Sequence, residues 1–252
     1  MIRRAQDREN VLSLLDDAPF FAAEMRAEWD ARGPESFFLV DDGAVLLLRG
    51  GFAMLYGTVQ DRAELESFLN FQKVSCVQSA DWVPTGFEAR EQWILRYEAV
   101  PENSVRKPHG YVLDEEPVLY RAAQTCITKD VTNTPPEEWA AMACVRRNKC
   151  GGKMLALKQG EEYAALAGLL AQTEKQTYLA GVVTALAHRG RGCASYLVSC
   201  AAREGQARGK KVFLVCESAL RPFYRRLGFV EEQRIFLSRK RSEETFYDRT
   251  VL

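Results

Sequence analysis

The chain has 252 residues, of which 47% are hydrophobic and 27% are charged, a composition typical of globular proteins with one large domain or two small ones. Lysine plus arginine and aspartate plus glutamate both number 34, so the formal net charge is zero. Proteins that bind phosphate backbones usually carry a basic excess, and we therefore expect no nucleic-acid partner.

The sequence also disfavours a membrane-spanning segment and a metal site. No apolar run approaches the roughly 18 residues that a membrane-spanning helix needs, and the first residues lack the apolar core of a signal peptide. The seven cysteines are scattered, no C-x-x-C pair occurs, and only His109 and His188 could join them as metal ligands. We expect a cytoplasmic protein with reduced thiols, no membrane partner and no metal.

The first hundred residues predict a mixed α/β unit. Asp7 is placed to cap a helix that runs to about Leu15. Apolar runs at 37–40 and 44–48 flank Asp41-Asp42-Gly43, a sequence typical of a hairpin turn. Farther along, the pattern predicts strands at 51–59, 73–77 and 91–97, and a helix at 61–69.

Residues 101–117 are punctuated by proline and glycine, and we interpret them as a linker between domains at 1–100 and 118–252. After it, Thr134-Pro135-Pro136-Glu137 reads as a capping box with proline in the first helical position. The helix that follows should carry Trp139, Met142 and Arg146 on one face and end at Gly151-Gly152.

The remaining elements are predicted in regular alternation. We expect strands at 154–157, 163–170 and 178–185, a helix at 193–208, a strand at 212–216, a short helix at 218–227 and a strand at 229–237. This order predicts an α/β fold with a mixed sheet that carries helices on both faces.

A glycine-rich turn connects the strand ending near Ala185 to the helix beginning at Cys193. Such a turn presents unpaired backbone N–H groups at the positive end of a helix, where anions bind. Gly190 and Gly192 let the backbone approach a bulky anion, and Arg189 and Arg191 supply charge. The ligand class that this predicts is a diphosphate. The alternative is a surface turn with solvated arginines.

Two common phosphate loops are excluded by their spacing. The G-x-x-x-x-G-K-[ST] pattern of nucleotide-binding P-loops is absent, and the run from Gly190 to Ser195 fails the last glycine of G-x-G-x-x-G.

The stretch from Gly181 to Ala194 resembles motif A of the GCN5-related N-acetyltransferase superfamily, R/Q-x-x-G-x-G/A after a central strand. Thirty residues later, Tyr224-Arg225-Arg226-Leu227-Gly228-Phe229 is similar to the family's Y-x-x-x-G-F element. The resemblance implies the acyl-CoA N-acyltransferase fold and acetyl-CoA as cosubstrate. The cofactor-binding residues that it implies are Val182, Val183, Thr184, Arg189, Gly190, Arg191, Gly192, Cys193, Ala194 and Ser195.

The family's chemistry is direct attack of an amine on the acetyl thioester. By resemblance, Tyr224 is the acid that protonates the leaving thiolate, because a phenol with a pKa of about 10 is protonated at neutral pH. The alternative is a packed aromatic side chain. A backbone amide near Val183 and Thr184 would polarise the acetyl carbonyl. The base is less defined: the predicted central strand has no acid, and Glu217 and Glu174 are the nearest carboxylates in sequence.

The two halves of the chain also resemble each other. The segment from Lys73 parallels that from Lys211, and Gly86-Phe87 parallels Gly228-Phe229, which sets Trp82 against Tyr224. We interpret the N-terminal half as a degenerate copy that lacks both the loop and the phenol, with chance similarity between two α/β segments as the alternative.

The leading hypothesis is an acetyl-CoA-dependent N-acetyltransferase that acts on a small-molecule or peptide amine as a monomer or homodimer. A non-catalytic CoA-binding module is the second hypothesis, motivated by the missing acid. The third is an aminoacyl-transferase that uses charged tRNA, which the zero net charge and the intact loop disfavour.

Overall fold

The computed structural model describes residues 1–16, 18–99, 105–128 and 134–241. These residues form two compact units. Among the described residues, unit 1 comprises 1–95, 215–221 and 231–241, and unit 2 comprises 96–214 and 222–230. Unit 1 therefore takes in residues from the C-terminal end of the chain.

The described elements of the first half follow one another in this order: β1 (Ile2–Arg4), α1 (Arg8–Ser13), α2 (Phe21–Arg32), β2 (Phe37–Val40), β3 (Ala44–Arg49), β4 (Phe52–Gly57), α3 (Arg62–Phe71), β5 (Cys76–Ser79) and β6 (Phe87–Tyr97). Those of the second half are β7 (Val112–Asp114), α4 (Leu119–Cys126), α5 (Pro136–Lys149), β8 (Lys153–Gln159), β9 (Glu162–Gln172), β10 (Gln176–Thr184), α6 (Cys193–Ala207), β11 (Lys211–Glu217), α7 (Arg221–Arg226) and β12 (Phe229–Lys240).

The starts of α1 and α5 were both predicted from local side-chain chemistry, and one of the two predictions holds. The Asp7 side chain accepts a hydrogen bond from the N–H of Glu9 and caps α1, as predicted. The capping box predicted at Thr134 is wrong, because the N-cap of α5 is Pro135, which makes no side-chain capping bond. Pro135 precedes another proline, which disfavours helical backbone, so the helix begins at Pro136 and Thr134 lies one position too early.

The sheet of unit 1 has the strand order β1-β2-β3-β4-β5-β12-β6. The β2–β3 hairpin turns at Asp41 and Asp42, whose φ values of 50° and 55° belong to the left-handed region that tight hairpin turns need. Strand β4 pairs in parallel with β5, and α3 connects them. The strand predicted at 73–77 begins later, at Cys76, because Lys73 has a φ of 56° in the turn that ends α3.

The sheet of unit 2 has the order β11-β10-β9-β8-β7. Its pairs are antiparallel except β10 with β11, which α6 connects in parallel. The apolar side of α6 (Leu197, Val198, Ala201) is buried, as is Trp139 on α5. Each unit is thus a mixed sheet with helices packed on it, which confirms the predicted α/β fold class.

Four elements were absent from the sequence interpretation: β1, α2, β7 and α4. Strand β7 falls inside the predicted linker at 101–117, of which residues 101–104 lie outside the described residues. The division of the chain at this linker stays a prediction. In the part of the chain that the structure describes, no helix has the length and apolarity to cross a membrane.

Candidate active site

The centre of the candidate site is strand β10, which carries a β-bulge. Ala180 pairs with Gly168 and Val183 pairs with Leu166, so three steps along β10 oppose two along β9. Gly181 takes up the extra residue with a φ of 63°, and a Cβ added there would also lie 3.3 Å from Cζ2 of Trp139. Glycine is therefore required at the bulge by backbone conformation and by packing.

Beyond the bulge, β10 has free backbone groups on one edge. Its pairing with β11 runs from Gln176 with Lys211 to Tyr178 with Phe213, near the start of both strands. Beyond Tyr178, no described residue of β10 pairs with a residue of β11. The two strands therefore separate toward Val183 and Thr184. The Thr184 hydroxyl is buried without a hydrogen-bond partner among the described residues. An extended polar ligand arm would find acceptors and donors there.

The loop after β10 has the geometry of an anion cradle. Gly192 is the N-cap of α6 with a φ of 82°, and Gly190 has a φ of 74°. The first N–H of the helix to bond backward is that of Tyr196, which donates to the Gly192 carbonyl at 3.0 Å. The N–H groups of Cys193, Ala194 and Ser195 consequently have no intrahelical acceptor. They lie at the positive end of a 15-residue helix.

The loop is also open to a bulky ligand. Residues 189–192 are exposed, and a Cβ added at Gly190 or Gly192 would meet no heavy atom within 4 Å. Arg189 donates from Nε to the Thr184 carbonyl at 3.2 Å, which fixes one guanidinium beside the end of β10. Open space, unsatisfied donors and two arginines match the chemistry of a diphosphate.

The side chains of Tyr111, His188 and Cys193 are buried at the loop. The Tyr111 hydroxyl is 2.9 Å from His188 Nδ1, and the two rings meet edge to face. Arg191 Nη1 donates to the same hydroxyl at 3.5 Å. Burial raises the pKa of the Cys193 thiol, while its hydrogen bond with Tyr111 acts in the opposite direction. Sequence reasoning missed Tyr111, whose only signal was that it is an aromatic residue inside the predicted linker.

The predicted acid, Tyr224, is buried on α7 and meets the Phe229 ring edge to face at 5.8 Å between centroids. The two candidate bases, Glu217 and Glu174, are both exposed. Strand β10 carries no acidic residue, as its sequence indicated. The catalytic roles of Tyr224 and Glu217, and the ten predicted cofactor contacts, stay predictions. Within the described residues, no group of three or more His, Cys, Asp or Glu side chains could hold a metal.

The corresponding junction in unit 1, between β4 and α3, is closed by the chain's own carboxylates. The Asp61 side chain accepts from the N–H of Glu64 at 2.9 Å and caps α3. The Asp41 carboxylate accepts from the N–H groups of Gln60 and Asp61 at 2.9 and 3.0 Å. Three backbone donors at this junction, those of Gln60, Asp61 and Glu64, therefore already have carboxylate acceptors.

Trp82, which the internal similarity sets against Tyr224, is 6% exposed and belongs to the core of unit 1 with Leu65, Leu69 and Val77. It also lines a cavity of about 620 Å³ beside the first turns of α3. Acidic groups at Glu66 and Asp81 border this cavity, together with Arg62. Its two acidic side chains distinguish it from the loop in unit 2, which carries two arginines.

Comparison with known proteins identifies the C-terminal part of the chain. Residues 117–229 match the model of the acetyltransferase (GNAT) family. This segment is a GNAT domain. It contains the bulged strand, the loop and Tyr224, which confirms the family resemblance of the motifs. A search of curated proteins finds no significant match.

Solved structures extend the likeness of fold beyond the GNAT domain. A GCN5-related N-acetyltransferase from Sphaerobacter thermophilus has a TM-score of 0.63 at 18% identity, over 95% of each chain. A GCN5-related N-acetyltransferase-like protein from Streptococcus suis has a TM-score of 0.58 at 13% identity, over 92% of this chain and 98% of its own. A tandem GNAT protein from the clavulanic acid biosynthesis pathway has a TM-score of 0.59 at 12% identity, over 97% and 99%. At these identities the likeness is one of fold.

Proposed function

We propose that this protein is an N-acetyltransferase that transfers the acetyl group of acetyl-CoA to a primary amine. One observation carries the proposal: an open loop with unsatisfied N–H groups begins α6 directly after a bulged strand, inside a GNAT domain. The loop supplies the diphosphate site, and the free edge of β10 supplies partners for the pantetheine arm. This assigns cofactor binding to residues 182–184 and 189–195.

The proposed reaction is direct transfer. The free amine attacks the thioester carbonyl, the N–C bond forms, and the C–S bond breaks as the electron pair returns to sulfur. A backbone N–H near Val183 stabilises the negative charge that develops on the carbonyl oxygen. Tyr224 donates its proton to the departing thiolate, and the new ammonium group loses a proton to water or to Glu217. The Tyr224 phenolate then regains a proton from water, so atoms and charges balance.

We further propose that the chain is a tandem protein with one working site. The order strand, two helices, three strands, helix, strand begins at both β1 and β7, and α7 alone has no counterpart before β6. The Asp41 and Asp61 carboxylates occupy three backbone donors of the unit 1 junction, and Trp82 has no hydroxyl. The full-length fold likeness to a tandem GNAT protein supports the same reading.

The proposal also covers the substrate class and the location. A small-molecule or peptide amine is proposed as acceptor, with no nucleic-acid or membrane partner, in the cytoplasm, by a monomer or homodimer. The zero net charge and the free thiols of the described cysteines support this assignment.

Calorimetric titration with acetyl-CoA tests the core of the proposal, and no binding at millimolar cofactor contradicts it. A panel of amines, followed by release of CoA thiol, then tests transfer. Mass spectrometry should show that the product carries one acetyl group more than the starting amine. A no-amine control measures background hydrolysis of the thioester.

A second function, CoA binding without catalysis, is favoured by a specific observation: β10 carries no acid and both candidate bases are exposed. The amine panel separates the two functions. Sustained turnover on any amine excludes the binding module, whereas tight acetyl-CoA binding with background turnover on every amine favours it.

A further inference from the structure

Tyr111 is fixed in unit 2 by its backbone as well as by burial. Gly110 turns the chain with a φ of 80°, and the Tyr111 N–H donates to the Pro108 carbonyl at 3.4 Å. The next residues form β7, which pairs with β8 from Val112 with Lys158 onward. The tyrosine is 4% exposed, so its ring enters the interior from the start of a paired strand.

The hydroxyl of this one residue contacts two side chains of the loop. Its partners are His188 at 2.9 Å and Arg191 at 3.5 Å. His188 is buried as well, and its Nε2 has no hydrogen-bond partner among the described residues. The imidazole therefore depends on Tyr111 for its side-chain hydrogen bond in this part of the chain.

The Arg191 side chain is exposed to solvent, whereas His188 is buried. Fixing a free arginine side chain costs rotamer entropy. A guanidinium already held by a buried hydroxyl has lost part of that freedom before a ligand arrives, so binding needs less ordering. The Tyr111 contact thus prepares Arg191 at the edge of the open loop.

We propose that Tyr111 is a positioning residue for the diphosphate of acetyl-CoA, which acts by holding Arg191 in the binding conformation. This inference rests on the proposed function, because it assumes that the loop binds CoA. It assigns no chemical step to Tyr111. Its effect is on cofactor affinity alone.

The experiment measures the dissociation constant of CoA by calorimetry, which needs no knowledge of the amine. We expect Tyr111→Phe to weaken CoA binding about tenfold, the size of one charge-assisted hydrogen bond. Tyr163→Phe is the matched control. Its hydroxyl is also buried in unit 2 and bonds to Val118 N–H at 2.9 Å and to Asp114 at 3.2 Å. Loss of that hydroxyl should leave CoA affinity within about twofold of the starting value.

A double-mutant cycle separates positioning from general stability. If Tyr111 acts through Arg191, Tyr111→Phe combined with Arg191→Ala should bind CoA as weakly as Arg191→Ala alone. Additive losses, an equal loss in Tyr163→Phe, or unchanged affinity in Tyr111→Phe would overturn the inference. So would unfolding of Tyr111→Phe alone, because the residue would then serve stability. Absence of CoA binding by the unchanged protein contradicts the proposed function instead.

Discussion

The Asp41 carboxylate accepts a hydrogen bond from the backbone N–H of Asp61 at 3.0 Å, at the junction where α3 begins. The equivalent junction in unit 2 begins at Gly192 and has no side-chain cap. Helix N-termini bind external anions only where their donors are free. Carboxylates of the chain thus occupy part of one junction, whereas the other has no side-chain cap and is open to a ligand.

We expect a binding stoichiometry of one acetyl-CoA per chain. The reason is that carboxylates of the chain occupy three backbone donors at the junction in unit 1, whereas the junction in unit 2 has no side-chain cap. Calorimetry, supported by native mass spectrometry at saturating cofactor, measures the ratio. Two equivalents per chain would show that the carboxylates of unit 1 do not block a site there, and would contradict the single-site proposal.

Asp41 should also affect acid stability. The α-amino group of Met1, followed by the N–H groups of Asp61 and Gln60, lowers the pKa of Asp41 from its ordinary value of 3.8 to about 2. A carboxyl with a depressed pKa stabilises the fold above its unfolded pKa, and the contribution is lost as pH falls from about 4 toward 2. We expect Asp41→Asn to be less stable at neutral pH and to show a weaker loss of stability over that window.

Circular dichroism melts between pH 2 and pH 7 check this expectation. Asp42→Asn is the control, because Asp42 is 76% exposed and pairs with Arg3 at the surface. An identical pH profile for the two variants would show that the Asp41 hydrogen bonds do not contribute to stability.

How far the sequence predicts the structure depends on whether the signal is local. The hairpin turn at Asp41-Asp42-Gly43 and the helix after Gly192 were correctly predicted, because turn residues and apolar spacing act over a few positions. Helix α2 was missed. It buries Phe21 and Met25, and also the charged Glu28, which pairs with Arg49 at 3.1 Å. Its sequence therefore shows no simple amphipathic stripe.

The candidate site shows the same limit. The loop and Tyr224 were found because motif spacing is visible in sequence. The Tyr111–His188 contact joins residues 77 positions apart. Tyr111 directly precedes β7, so the pairing of β7 with β8 helps to fix its position. His188 lies within the recognised motif, but nothing local marks Tyr111, so only the folded chain could reveal this contact.

Gly192 provides a direct test of the loop. A side chain at a φ of 82° is strained, and a carboxylate there would repel a diphosphate. We expect Gly192→Glu to weaken CoA binding at least about a hundredfold, a loss near 3 kcal/mol. Arg189→Glu added to it should remove the remaining binding, because it reverses a neighbouring charge.

The control for this loop variant lies just beyond the other end of the same helix. Gly209 has a φ of 73°, is exposed, and would place an added Cβ in open space, as Gly192 does. Gly209→Glu should therefore lose similar stability in thermal unfolding and keep its CoA affinity. Equal loss of affinity in both variants would argue that backbone strain, rather than a diphosphate site, explains the result.

Gly205 tests the packing of α6 on the sheet. Alanine in place of glycine usually stabilises a helix interior by about 1 kcal/mol. At this position an added Cβ would lie 2.6 Å from Val212 Cγ2 and 3.0 Å from Thr177 Cγ2. We expect Gly205→Ala to destabilise the protein by about 1–3 kcal/mol in urea unfolding. Gln206→Ala at the neighbouring position removes an exposed hydrogen bond to the Glu98 carbonyl and should cost less. Stabilisation by Gly205→Ala would contradict the close approach of helix and sheet.

Tyr224→Phe tests the acid. If the phenol protonates the leaving thiolate, kcat should fall about a hundredfold or more, while the affinity for acetyl-CoA stays within about twofold. The ring remains, so the edge-to-face contact with Phe229 is kept and stability should change little. Glu217→Gln, measured beside it, tests the candidate base: the exposed side chain can be neutralised without loss of packing. Unchanged kcat in Tyr224→Phe would make Tyr224 a packing residue of α7 and would require another proton donor or water at the leaving group.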